Sequence, residues 1–256
     1  MRIVGPGRAG TSLADALAAV GWSIATPVAH GDSPAGAAAD VDLCVISVPD
    51  GAIADVAAAV APVSTTVVAH LAGSLGVDVL APHVRRAAMH PLASMPDRVA
   101  GARTLAGGCW WAVEGDALAA QVVADLGGRT IPVDPATRAA YHATACVAAS
   151  HLVALLAQVQ RLAEAAGVPA EPFYELAAGA LANARRSGAT SALTGPAVRA
   201  DWSTVARHLA VLDAGERDLY LVLAAAAAHE AGHVFPRQAV LSRAGLGTEE
   251  VVAACR

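Results

Sequence analysis

Lysine is missing from the 256-residue sequence, and all 17 basic side chains are arginine. Any mechanism that needs a lysine amine is thereby excluded. Cysteine is scarce. Cys44, Cys109, Cys146 and Cys255 stand far apart with no C-x-x-C pair, which argues against both a zinc knuckle and a disulfide framework. Aromatic residues reach only 4% while 55% of the chain is hydrophobic, so much of the apolar content is alanine, the composition of alanine-rich helices. Basic runs are also lacking: Arg85-Arg86 and Arg185-Arg186 are isolated doublets against a net charge of −5. That excludes nucleic acid as a partner and leaves small molecules.

The opening Met1-Arg2-Ile3-Val4-Gly5 leaves no room for the apolar segment of a signal peptide, so a cytoplasmic protein is expected. A stretch without Arg, Asp or Glu runs from Ala139 to Gln160, long enough to span a bilayer. It carries His142, Thr144, Ser150, His151 and Gln158, and the expectation is a core helix with no membrane partner.

The first half alternates short β-branched runs with helical stretches, the pattern of an α/β fold with a parallel sheet. Strands are predicted at Arg2–Val4, Ser23–Ala29, Val41–Val48, Thr65–Ala69, Arg86–Met89, Cys109–Val113 and Arg129–Val133. Asp134-Pro135 changes the pattern to helices alone, near 135–166, 170–186, 202–212 and 215–234. Two domains follow: 1–133, a doubly wound sheet, and 134–256, all-α.

Gly5-Pro6-Gly7-Arg8-Ala9-Gly10 fits G-x-G-x-x-G, and it directly follows a strand and opens a helix. In that setting the first glycine permits a tight turn, the second admits a pyrophosphate against the backbone, and the third lets helix and strand pack closely. A dinucleotide, NADP or NAD, is the expected cofactor. About 20 positions on, where an acid would hold an NAD ribose, stands His30, with Asp32 and Ser33 just beyond and no arginine for a 2′-phosphate. The missing acid inclines to NADP and leaves NAD open. Val48-Pro49-Asp50, after the third strand, is expected to line the same site.

Together with this strand, the first half resembles the Rossmann domains of 6-phosphogluconate dehydrogenase-like enzymes, ketopantoate reductase and pyrroline-5-carboxylate reductase among them. His70-Leu71-Ala72-Gly73-Ser74, Met89-His90-Pro91-Leu92, Tyr141-His142-Ala143 and Ala192-Leu193-Thr194-Gly195-Pro196 look like the motifs of bacterial Rossmann-like proteins that carry a C-terminal helical domain of unknown function. The resemblance implies an NAD(P)-dependent oxidoreductase that dimerises through a 6-phosphogluconate dehydrogenase C-terminal-like helical domain. It also connects some relatives to ketopantoate reduction.

Hydride delivery to a carbonyl needs a proton donor at the developing alkoxide and usually a cation for a substrate carboxylate. His70, Ser74 and His90 each follow a predicted strand on the cofactor side. Arg138, His142, Cys146 and Ser150 recur every fourth residue and form one polar stripe. The expected roles are His90 or His142 as proton donor, His70 as a further candidate, Arg138 as anchor for a small 2-oxo acid, and Ser74 as a cofactor contact. A dinucleotide-binding sensor without turnover would share the fold. His229-Glu230-Ala231-Gly232-His233 matches the H-E-x-x-H pattern of a zinc protease, but Pro236 follows at once and a third ligand is hard to supply, so no metal is expected.

Overall fold

Alternation along the strands builds the sheet. In the computed structural model, which describes residues 1–247, the strand Leu43–Ile46 is buried throughout. Leu43 and Val45 enter one core cluster and Cys44 and Ile46 the other, so both faces are covered and the run reads as continuously apolar. Arg2–Val4 is β1, Leu43–Ile46 β2, Val67–His70 β3, Arg86–Pro91 β4, Trp110–Gly115 β5 and Arg129–Ile131 β6, hydrogen-bonded in that order. Helices α1 (Arg8–Ala19), α3 (Arg98–Ala106) and α4 (Leu118–Asp125) supply Leu13, Leu17, Leu105 and Val122 to one face; α2 (Ile53–Ala59) supplies Ile53 and Ala57 to the other.

Two differences from the expected sheet have local causes. Ser23–Ala29 lies along β1, with Val28 N–H donating to the Ile3 carbonyl at 2.9 Å, but it forms one bridge, Val4 to Val28, instead of a strand. Pro27 has no N–H to give a ladder. β5 runs antiparallel to β4, because the connection through α3 brings Trp111 back opposite Pro91, the residue at which β4 ended. The other neighbouring pairs are parallel.

Asp134 accepts the Ala136 N–H at 2.8 Å and, with Pro135, opens the long helix as expected. It runs as α5 (Arg138–Cys146), a wide π turn over Val147–His151, and α6 (Leu152–Ala165). The helix Pro135–Ala165 is long and apolar enough to cross a membrane by length and composition, and only 6% of its most apolar window is buried. The cover that its sequence leads one to expect is not supplied by the described residues. Its inward positions include the polar Arg138 and Gln158, each held by a specific partner, while Val147 and Val153 are exposed.

The chain divides into two compact units, Met1–Leu152 and Val153 onward. The sheet ends close to the expected change at Asp134, and the first turns of the long helix are counted with the first unit. The second unit adds α7 (Glu171–Ser187) and α8 (Ala189–Ala192), which bury no residue, and α9 (Trp202–Val211), α10 (Ala214–Glu230) and α11 (Arg237–Arg243), which pack around Val205, Leu209, Leu221, Val240 and Leu241. Asp201 caps α9 by accepting the Thr204 N–H. Hydrogen bonds from Thr204 and Ser203 hold its carboxyl down at about 2. α10 ends at Glu230, and His233 lies beyond a turn with its ring nitrogen 3.1 Å from the Val198 carbonyl. His229 and His233 therefore do not share a helical face. Among the described residues no group of three metal-ligating side chains assembles.

Candidate functional site

The glycine turn is where the sequence puts it, and each glycine answers to a different constraint. Gly5 has φ +81°, and a Cβ there would stand 2.6 Å from Val48 Cγ1 and 2.9 Å from the Ser47 carbonyl oxygen. A Cβ on Gly10 would stand 2.8 Å from Ile3 Cγ2, so helix and strand touch there. Gly7 is different: a Cβ would meet nothing within 4 Å, because this residue fronts open space.

That space is two cavities flanking the turn, both lined by Gly7, Ser47, Val48 and Pro49. The one of about 470 Å³ also reaches Pro6, Ala29, His30 and Asp32. The other, about 580 Å³, reaches Arg8, Asp50, Ala72 and Met95. Gly7 precedes α1, whose first turn has neither a side-chain cap nor an acidic residue. Its leading amides and its positive end are left to a ligand, the setting in which anions bind. A dinucleotide fits on these grounds: a glycine whose missing side chain no protein packing explains, an uncapped helix start, and a cavity on either side of it. Gly5, Pro6, Gly7, Arg8, Ala9, Gly10, His30, Val48, Pro49 and Asp50 all belong to this region.

Beside Asp50 and Ala72 the chain carries a cluster of imidazoles. The Ser74 hydroxyl donates to the Asp50 carboxylate, tying the 70–76 loop to the turn that leads from β2 to α2. His70 closes that loop from inside. Its Nδ1 accepts the Ala72 N–H at 3.2 Å, so Nε2 carries the proton and donates to the Gly76 carbonyl at 3.1 Å. His70 is fully buried and burial pushes its basicity below the ordinary imidazole value. With both nitrogens engaged it shapes the loop and has none to spare for a substrate.

His90, near the end of β4, faces α5. Its Nδ1 lies 2.6 Å from the Tyr141 hydroxyl, and its ring meets those of Tyr141 and His142 edge to face at 5.7 and 5.9 Å. Burial, then the neighbouring His142, pushes its pKa down to about 4, so at neutral pH it is an uncharged imidazole. Gly73 allows the pair to approach: a Cβ there would be 2.7 Å from His90 Cε1 and 2.8 Å from His142 Cδ2. Burial raises the Tyr141 phenol above its ordinary value, keeping it protonated.

Arg138 is already matched. It is 7% exposed, and its guanidinium pairs with the Glu114 carboxylate on β5, with Nε buried and unpartnered. His142 stacks along the helix above Cys146, Nε2 to Sγ 3.9 Å, which extends the polar stripe by one step. Ser150 falls in the π turn, where the four-residue spacing no longer holds register, and is exposed. Sequence reasoning passed over Tyr141 and Glu114 as site residues. Tyr141-His142 was visible as a motif, whereas Glu114 gives no local signal, since only the antiparallel return of β5 brings it to Arg138.

Residues 32–96 match the family model described as a Rossmann-like domain, and residues 109–227 match the one described as a domain of unknown function, DUF2520. The two matched segments follow one another along the chain. No curated protein matches it. Among solved structures, BF3122 of Bacteroides fragilis, whose description names an NADP oxidoreductase, is similar with TM-score 0.75 at 19% identity, over 89% of this chain and 97% of that one. Pyrroline carboxylate reductase of Plasmodium falciparum, with NADP bound, gives 0.58 at 12%, over 90% and 95%. A reductive aminase of Aspergillus terreus, in complex with NADPH4, cyclohexanone and allyl amine, gives 0.57 at 18%, over 100% and 98%. At these identities the likeness shows the fold: a Rossmann-like domain with a parallel-dominated six-stranded sheet, followed by a helical C-terminal part.

Proposed function

We propose that the protein is a nicotinamide-dinucleotide oxidoreductase that reduces a C=O or C=N group of a small molecule. The observation that carries this is the contiguity of two features: cavities straddling an uncapped, glycine-fronted helix start, and the His90–Tyr141–His142 cluster joined to them through Asp50, Ala72 and Gly73. The dinucleotide, when bound, supplies the hydride. Gly7 and the first amides of α1 would hold its phosphates, with Arg8 beside them.

The chain's own residues then manage the proton. Reduction of a carbonyl leaves negative charge on oxygen, and a nearby O–H or N–H that can give up its proton lowers that barrier. His90 is neutral and hydrogen-bonded to the Tyr141 hydroxyl, so the two form a short relay, with His142 next to them. The carboxylate anchor expected of Arg138 is not carried forward, because the pair with Glu114 already neutralises that cation. Uncharged ketones and imines therefore stand ahead of 2-oxo acids, ketopantoate included. The structures named above that bind NADP(H), one with a ketone and an amine, support the same class.

The exposed helix Pro135–Ala165 supports a homodimer in which a second copy covers it, and gel filtration with light scattering tests this. The dinucleotide reading also suits a cytoplasmic protein. Its direct test is a thermal-shift series with NADH and NADPH, followed by their oxidation against ketones, 2-oxo acids and ketone–amine mixtures. A raised melting point shows binding to the native state, and turnover separates an enzyme from a sensor. No shift with either dinucleotide would refute it.

A further inference from the structure

The cavity of about 470 Å³ on the Val28 side of the glycine turn has a wall that distinguishes the two dinucleotides. Val28 is fixed along β1 by the two hydrogen bonds of its bridge to Val4: its N–H to the Ile3 carbonyl, and its carbonyl accepting the Gly5 N–H, each at 2.9 Å. The segment thus occupies the place of the second strand of a βαβ unit, beyond whose end a bound dinucleotide presents the 2′ position of its adenosine ribose.

Asp32 is held at that end. Its Oδ2 accepts the Ala29 N–H at 3.0 Å while its own N–H donates to the Ala29 carbonyl at 3.2 Å, so the 29–32 turn is closed in both directions. The second carboxylate oxygen has no hydrogen-bond partner in the described residues. Among the described residues Asp32 is the only carboxylate lining this cavity, with the imidazole of His30 beside it, and no arginine lines it. Arg2, on the adjoining β1, is committed to the carbonyls of Gly36, Ala37 and Ala39 at 3.0–3.1 Å. A ribose hydroxyl can donate to the open carboxylate oxygen. A 2′-phosphate would set two further negative charges beside it with no guanidinium to offset them.

We infer that Asp32 makes the site selective for NAD(H) over NADP(H), given the dinucleotide reading above, on which this rests. Sequence position alone pointed to His30 at this spot. The closed turn brings the carboxylate two residues later to the same wall.

The test is binding, read without turnover, by the quenching of protein fluorescence and by calorimetry with NADH and NADPH. Wild-type protein is expected to bind NADH about tenfold more tightly or better, the size of one uncompensated like-charge contact. Asp32→Asn keeps an oxygen for the Ala29 N–H and therefore the turn, and it should shrink the ratio to near one. Asp32→Arg should invert it. Tighter or equal binding of NADPH by the wild type, or an unchanged ratio in Asp32→Asn, overturns the proposal while leaving the dinucleotide reading standing. Binding of neither nucleotide overturns both.

Discussion

The Tyr141 hydroxyl and His90 Nδ1 lie 2.6 Å apart, one on α5 and the other at the end of β4, 51 residues away in sequence. Neither side chain is charged at neutral pH, since burial pushes the imidazole down to about 4 and the phenol up. The bond therefore joins neutral partners, with the proton held on the phenol, and His90 passes one on only as a negative charge develops on the substrate oxygen beside it. Replacing Tyr141 by Phe removes the hydroxyl and keeps the ring that packs against His90. If the pair delivers the proton, Tyr141→Phe lowers kcat about a hundredfold or more while dinucleotide affinity stays as in the wild type. Steady-state kinetics beside a fluorescence titration checks both. Unchanged kcat would remove Tyr141 from the relay.

The same burial makes stability depend on pH in a stated direction. His90 and His70 both bind protons less readily folded than unfolded. Between the ordinary histidine value of about 6.5 and the folded value of about 4 for His90, the unfolded chain holds more protons, so stability is fully present above that window and falls as pH drops through it. Melting temperature should decline from pH 7 to pH 4.5, with a shallower slope in His90→Gln. An identical slope in the variant would mean that His90 titrates normally. A histidine NMR titration reads the same quantity directly.

Much of this was legible from local pattern, and the failures share a cause. The glycine turn, most of the strands and the change to helices at Asp134 depend on neighbours within a few residues. Residue type and spacing report such relations well. Pairings across the sheet do not show that way. Glu114 reaches Arg138 only because β5 runs against β4, and the loss of the Ser23–Ala29 strand turns on one proline in a segment that otherwise reads as extended. The helix at Pro135–Ala165 misled in the opposite sense. Its composition suits an interior, and within one chain its polar Arg138 and Gln158 point inward while valines face out.

Arg138 and Glu114 offer a test of whether that inward cation is structural. The guanidinium is 8% exposed at its side chain and the carboxylate 28%. Removing only the acid leaves a desolvated cation without a partner, so Glu114→Gln is expected to cost about 3 kcal/mol in a urea titration. Arg138→Met leaves the better-hydrated partner and should cost less. The double variant should be more stable than the sum of the two losses implies. Strict additivity would show that the pair contributes no coupling. A substrate whose KM rises only in Arg138→Met would return the arginine to its expected role as an anchor.

Gly5 and Gly7 separate folding from binding within one turn. Gly5 has a positive φ and would drive a Cβ into Val48 and the Ser47 carbonyl, so Gly5→Ala should lower stability by about 2 kcal/mol and weaken dinucleotide binding with it. Gly7 has an extended backbone and nothing within 4 Å of an added Cβ, so the protein itself gives no reason for a glycine there. If the reason is a pyrophosphate lying against the backbone, Gly7→Val should melt within about 0.5 kcal/mol of the wild type, as an unobstructed exposed substitution does. Its affinity for NADH should nevertheless fall at least tenfold. A Gly7→Val protein that binds NADH normally would leave the open space at the start of α1 without its phosphate, and with it the central support for a dinucleotide site.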